Sequence, residues 1–201
     1  WILGNKLGLG AYGDVYLGRS QNDRSSKNVA IKLERDENNN KENLKREFNF
    51  YQILNKDKKD KDFIPKCYYY NKEGDYNVLV IDYLKNDLYS LYESYKNIGT
   101  LAKIAIGLLN CIQYIHSKNI IHRDLSPNNI RSENGKLFII DFGLSKIYYD
   151  EFTKTHIPLV KIKKYRGTRR YLSINAMQLL EPSRRDDLES IGYILIEYFI
   201  G

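Results

Sequence analysis

The sequence of 201 residues predicts an α+β protein in two parts, a strand-rich first third and a mostly helical remainder. Three observations predict it. Five segments with strand patterning and one with helical spacing fall within the first 84 residues. The two longest apolar-rich segments, 100–118 and 183–201, come later and read as long, largely buried helices. A glycine-rich stretch, GLGAYG (8–13), is followed by a second strand and not by a helix. The expected parts are residues 1–83 and 84–201.

Taken in order, ILGNKLGL (2–9) and DVYLGRS (14–20) flank the glycine-rich turn. KNVAIKLE (27–34), rich in β-branched and apolar residues, is a third strand, reached through a polar hairpin loop at 20–28. The period then changes. In 37–56, Leu44, Phe48, Tyr51 and Leu54 recur at helical spacing, so a helix starts near Lys41. KDKKDKD (56–62) reads as a solvated loop. CYYYNKEGDYNVLVIDYL (67–84) reads as a strand, a Gly-Asp turn and a strand. The segment 100–118 is a long helix whose broad apolar surface predicts extensive burial. NIIHRDLSPNNI (119–130) and KLFIIDFG (136–143) are short apolar segments that carry charged residues. SRRDDLESIGYILIEYFIG (183–201) is a further mostly buried helix, with Ser183 as N-cap and Asp186, Asp187 and Glu189 in its early turns.

Composition narrows the function classes. With 42% hydrophobic and 28% charged residues the chain can build a core, which excludes a disordered segment. No apolar run approaches the roughly 20 residues of a membrane span, so no membrane partner is expected. WILGNKLGLG has no charged region followed by an apolar core, so it is not a secretory signal. Cys67 and Cys111 cannot make a multi-disulfide framework. They are expected to be core thiols of an intracellular protein, cytoplasmic or nuclear, and the chain is expected to be monomeric. The net charge is +7, but KIKKYRGTRR (161–170) alone holds six basic residues and no acid. Such a patch points to a local anionic partner. No aromatic-rich groove for bases accompanies it, which disfavours nucleic acid.

The motifs carry the chemistry. GLGAYG fits G-x-G-x-x-G, a weak signal alone. Before a strand it suits a nucleotide-covering loop, where glycines let the backbone approach phosphates, and a plain glycine hairpin is the bland reading. VAIK (29–32) places Lys32 on the neighbouring strand, where it could bind phosphates if an anion such as Glu47 held it. HRDLSPNN (122–129) and DFG (141–143) then follow in order. With these four motifs the chain resembles the eukaryotic protein kinases. The resemblance implies that Asp124 accepts the proton of a substrate hydroxyl. It also implies that Asn129 and Asp141 hold Mg²⁺ and that Lys32, held by Glu47, orients the phosphates of ATP.

Later residues resemble the casein kinase 1 group. Ser173, Ile174 and Asn175 stand where most protein kinases have A-P-E, and SRRDDLESIGY (183–193) is equally distinctive. The group's pattern implies a two-lobed protein kinase fold, with a five-stranded antiparallel N-lobe carrying one helix. A mainly helical C-lobe, truncated after the helix near 184–199, would follow. It further implies contacts to the nucleotide from Leu7, Gly8, Gly10, Gly13, Val15 and Ala30. Ile81 would be the gatekeeper, with Asp82 and Leu84 in the hinge. Thr168 would touch Asp124, and Asp187 would anchor the catalytic-loop backbone. Arg123, Lys146, Lys163 and Arg170 would bind a phosphate or carboxylate on an acidic or pre-phosphorylated protein substrate. One residue departs from the pattern. Ser126 replaces a lysine that sits near the transferring phosphate, so one stabilising charge is missing. The implied activity is transfer of the ATP γ-phosphate to Ser or Thr. The rival is a pseudokinase or scaffold without turnover.

Overall fold

Strands β1 (Ile2–Gly10), β2 (Gly13–Arg19), β3 (Val29–Arg35), β4 (Cys67–Glu73) and β5 (Tyr76–Asp82) form one antiparallel sheet. Its strand order is β1-β2-β3-β5-β4. The structure is a computed structural model that describes residues 1–10, 13–21, 27–36, 42–56, 63–93 and 97–200. The middle of the glycine turn, the centre of the 20–28 loop, Lys41 and most of the 56–62 charge run lie outside the described residues.

Two-residue alternation explains how this sheet is used. Val29 and Ile31 of β3 pack with Val80 of β5 on one face, against Leu33, Tyr69 and Val78 at its edge. Paired residues share a face, so Val15, Lys32 and Leu79 stand together on the other, as do Ala30 and Ile81. Helix α1 (Asn43–Leu54) covers that second face with buried Leu44, Glu47, Tyr51 and Leu54. Gly13 is demanded by packing: a Cβ there would lie 2.0 Å from the Leu33 carbonyl oxygen.

The chain divides into two units, Trp1–Leu84 and Lys85–Gly201, one residue later than the sequence boundary. The second unit holds β6 (Asn86–Asp87), α2 (Leu88–Glu93), α3 (Ile98–Ser117) and β7 (Ile120–Ile121). The hairpin of β8 (Ile130–Glu133) and β9 (Lys136–Ile139) follows, then the short strands β10 (Lys146–Ile147), β11 (Tyr149–Asp150) and β12 (Thr155–His156). Helices α4 (Ile174–Met177) and α5 (Arg184–Ile200) complete it. The remainder is mainly helical, as expected, and the short strands β6–β12 are added to it. Strands of two to four residues are too short to show a period in the sequence.

Both long helices correct the burial expectation. On α3, Leu101, Ile104, Leu108, Cys111, Ile112 and Ile115 face the core, while Ile98, Ile106 and Leu109 are exposed. On α5, Asp186, Asp187, Ser190, Ile191, Ile194 and Tyr198 are buried, and Leu188, Ile196 and Phe199 are exposed. One stripe per helix suffices for packing, however apolar the rest. By length and composition α3 also passes as a possible membrane span, contrary to the sequence reading, which looked for an uninterrupted apolar run. Its buried stripe is that of a core helix.

Ser183 and Asp186 face each other across the first turn of α5, the spacing of a capping box. The Ser183 hydroxyl accepts from Arg185 Nη1 (2.9 Å), and its backbone N–H donates to the Asp186 carboxylate (2.7 Å). Of the thiols, Cys111 is fully buried and Cys67 only half-buried, so only the first is a core residue. Burial pushes Cys111 up to about 12 and Cys67 up to about 11, so both stay protonated at neutral pH and neither is a reactive nucleophile.

Candidate active site

In the first unit, β3 and α1 set one ion pair. Lys32 Nζ lies 2.6 Å from Glu47 Oε1, with the lysine side chain 11% exposed and the glutamate fully buried. The alternative of an unpaired strand lysine therefore fails. The register brings Val15 of β2 and Leu79 of β5 beside Lys32. Gly8 differs from Gly13: among the described residues nothing lies within 4 Å of a Cβ built on it, so their packing does not require glycine there. Leu7 is exposed, Gly10 and Val15 are half-buried, and Ala30, Ile81 and Leu84 are buried. The Asp82 carboxylate is used within the unit, accepting from the Lys66 N–H (2.8 Å) and the Tyr68 hydroxyl (2.7 Å).

In the second unit the pieces converge on Asp124. Its Oδ1 accepts from both the N–H (2.7 Å) and the hydroxyl (2.8 Å) of Thr168. Gly167 makes this approach possible. It sits at φ +101, and a Cβ there would lie 2.6 Å from the Arg123 carbonyl oxygen. Asn129 closes the 3-10 turn Pro127–Asn129 and donates its Nδ2 to the Asp124 carbonyl (2.8 Å), with Oδ2 at 3.3 Å. Asp141 Oδ1 accepts from the Gly143 N–H at 3.3 Å.

Arg123 and Asp141 both hold left-handed backbone, at φ 68 and 66. For side chains of this size each costs about 1–3 kcal/mol and persists only when the surroundings over-determine it. Asp187 is part of that surrounding. Its Oδ1 accepts from the Arg123 N–H (2.9 Å), and its Oδ2 accepts from the His122 N–H (2.9 Å) and meets His116 Nε2 at 2.8 Å.

This geometry has a family counterpart, because the family described as Protein kinase domain matches residues 1–201. The chain belongs to the protein kinase family. It has the α+β kinase fold, and the activity of the family is protein phosphotransfer.

Four cations expected at one anion site are placed unequally. Arg123 and Lys146 both meet Glu181 Oε1, at 3.2 and 3.1 Å. Arg123 also donates to the Leu144 carbonyl (2.7 Å), and its side chain is only 11% exposed. The chain's own carboxylate therefore occupies it. Arg170 meets Glu197 at 2.9 Å but keeps 71% of its side chain exposed, and Lys163 is exposed. Lys146 keeps 39% exposure.

The bonds of three residues here are not assigned by the sequence. Glu181 is fixed by its N–H to the Val160 carbonyl, beside the Lys161–Leu180 bridge. Ser173 caps α4 by accepting from the Ala176 N–H and donates to Asp186 Oδ1 (2.6 Å). Ser190 donates to the Tyr171 carbonyl (2.6 Å). Ser173 was within reach as a serine opening a helical segment. The other two give no local signal.

The kinase residues fit the family's nucleotide and metal. Asn129 and Asp141 offer the hard oxygen donors that Mg²⁺ takes, and phosphate oxygens and water complete such a shell. Lys32 is a held cation, and Gly8 leaves its strand open to a phosphate. Lys32→Ala is expected to lower turnover at least about 10²-fold, the scale of one preorganised charge contact. Without the Lys32 cation, buried Glu47 should also cost about 3–5 kcal/mol of stability. Initial rates and a thermal melt check both, and unchanged turnover would remove Lys32 from the mechanism.

Proposed function

We propose that the chain is a casein kinase 1-type serine/threonine kinase acting on acidic or pre-phosphorylated proteins with ATP and Mg²⁺. One observation carries the substrate class. The basic segment 161–170 contains Thr168, and Thr168 holds Asp124 by two hydrogen bonds. The exposed Lys163, Lys164, Arg166 and Arg169 are thus tied in sequence to the residue that would receive the substrate proton. The group assignment draws support from Ser173 of S-I-N and Asp186 of SRRDDLES, which bond each other directly.

In the proposed reaction, Asn129 and Asp141 would hold Mg²⁺ and Lys32 the phosphates. Bound Mg²⁺ and ATP supply the phosphoryl group and neutralise its charge. Thr168 occupies Asp124 Oδ1 with two donors, which orients the carboxylate, and Oδ2, with the long 3.3 Å contact from Asn129 Nδ2, would accept the hydroxyl proton. An acidic side chain near that hydroxyl would meet Lys163 and Arg170, the better exposed of the four expected cations, with Lys146 contributing where Glu181 leaves it free to do so.

The test is kinetic. Reversing charge in Lys163→Glu/Arg170→Glu should raise KM for an acidic peptide at least about tenfold, because each charge-assisted contact is worth roughly 1.5–3 kcal/mol before screening. KM for ATP should stay near the parent value. Losing the exposed Arg170–Glu197 pair should cost little stability. Equal peptide preference in the parent and the double variant would sink the substrate assignment. A second reading, a binding module without turnover, is favoured by Ser126, which is 1% exposed and supplies no cation where the family has lysine. Absence of phosphate transfer to casein, in a folded protein that still binds ATP, would select it.

A further inference from the structure

Residues from α3, the β10–β12 segment and α5 line an open surface cavity of about 910 Å³ that includes none of Asp124, Asn129, Asp141 or Thr168. Its volume is within the range of small-molecule sites. The floor is apolar. Ile112 is buried there, while Leu109 and Leu188 keep 48% and 45% exposure, so two leucines face open space on packed helices.

One wall is aromatic and cationic. Tyr148 is 6% exposed, and the Arg184 guanidinium lies over its ring at 4.7 Å. The rings of His116 and His156 flank it at 6.2 and 5.4 Å. The Tyr148 hydroxyl donates to the His116 carbonyl (2.9 Å), so the wall is fastened to the end of α3. Arg185 adds a second guanidinium, held by the Ser183 hydroxyl at 2.9 Å and near Asp186 at 3.6 Å. Among the described residues, no aspartate or glutamate lines the cavity.

We propose that this cavity binds a small organic anion, an apolar ring or chain bearing one carboxylate, sulfonate or phosphate. The leucine floor takes the apolar body. Arg184 takes the anionic head, since a guanidinium binds planar oxyanions in a fork and is weakly hydrated for a cation. Such a ligand would touch three parts of the unit at once. It would also lie against His116, whose ring meets the carboxylate of Asp187 that accepts from His122 and Arg123.

The experiment compares two fluorescent probes with the same aromatic body. 1-Anilinonaphthalene-8-sulfonate carries a sulfonate, and N-phenyl-1-naphthylamine carries none. The sulfonate should bind one per chain by calorimetry, at least about tenfold more tightly than the neutral probe, as a charge-assisted contact allows. Arg184→Gln should erase that preference, with Arg185→Gln as the substitute if circular dichroism shows the first variant unfolded. Leu109→Asp, at an exposed position, should weaken both probes by a similar factor. Phe199→Asp lines a separate cavity of about 660 Å³ and should leave both affinities unchanged. Equal affinity for the two probes, binding that survives Leu109→Asp, or loss in Phe199→Asp would each overturn the proposal.

Discussion

Asp124→Asn is expected to lower kcat by about 10²–10⁴-fold, the range for removing a positioned general base. The melting temperature should remain close to that of the parent. Asparagine keeps the shape and one acceptor oxygen, which can still receive the Thr168 N–H and hydroxyl in place of Oδ1. What is lost is Oδ2 as a proton acceptor. Asn129 Nδ2 stands 3.3 Å from that oxygen, a long contact, so the new amide group there gives up little bonding. The Asn129 bond to the Asp124 carbonyl is a backbone contact and survives the change. Radiolabelled phosphate transfer to casein and a thermal melt measure the two quantities separately. Turnover within a few-fold of the parent would take Asp124 out of the path of the proton.

The two units differ in how far their sequences reveal them. In the first, the patterning of VAIK and of α1 places Lys32 on a strand and Glu47 on the helix that follows, which makes the pairing possible, and the structure shows it formed. The Gly-Asp turn and the five strands are legible for the same reason. In the second unit the assembly depends on bonds between residues 44 to 71 positions apart: Asp124 with Thr168, Arg123 with Glu181, His116 with Asp187. No local period encodes these, and only family resemblance pointed to Thr168 and Asp187. Asp186 and Asp187 read locally as acids that suit a helix N-terminus. In the fold they are buried acceptors for Ser173, Ser183 and the catalytic-loop backbone. Glu181, between a leucine and a proline, gives no local signal and is a buried anion shared by Arg123 and Lys146.

Asp187→Ala is expected to be the most destabilising single change in the second unit. The carboxylate is 2% exposed and receives two backbone N–H groups, from His122 and Arg123, and the His116 ring. Truncation strands both N–H groups in a largely closed space, at about 1–3 kcal/mol each. It also removes a contact that holds Arg123 at φ 68, so the backbone there can relax and carry Asp124 with it. A loss of about 3–5 kcal/mol follows from these terms, or roughly 6–20 °C in melting temperature for a chain of this size. Turnover should fall even where the protein stays folded, because the proton acceptor is no longer fixed. Asp187→Asn separates the two effects. One oxygen can still accept from the backbone while the other contact becomes an amide, so its melting temperature should lie between those of the parent and Asp187→Ala. Thermal denaturation of the three proteins, with phosphate transfer measured well below the lowest transition, gives the comparison. A melting temperature for Asp187→Ala within 2 °C of the parent, a shift worth at most about 1 kcal/mol here, would show that Asp187 does not hold the catalytic-loop backbone.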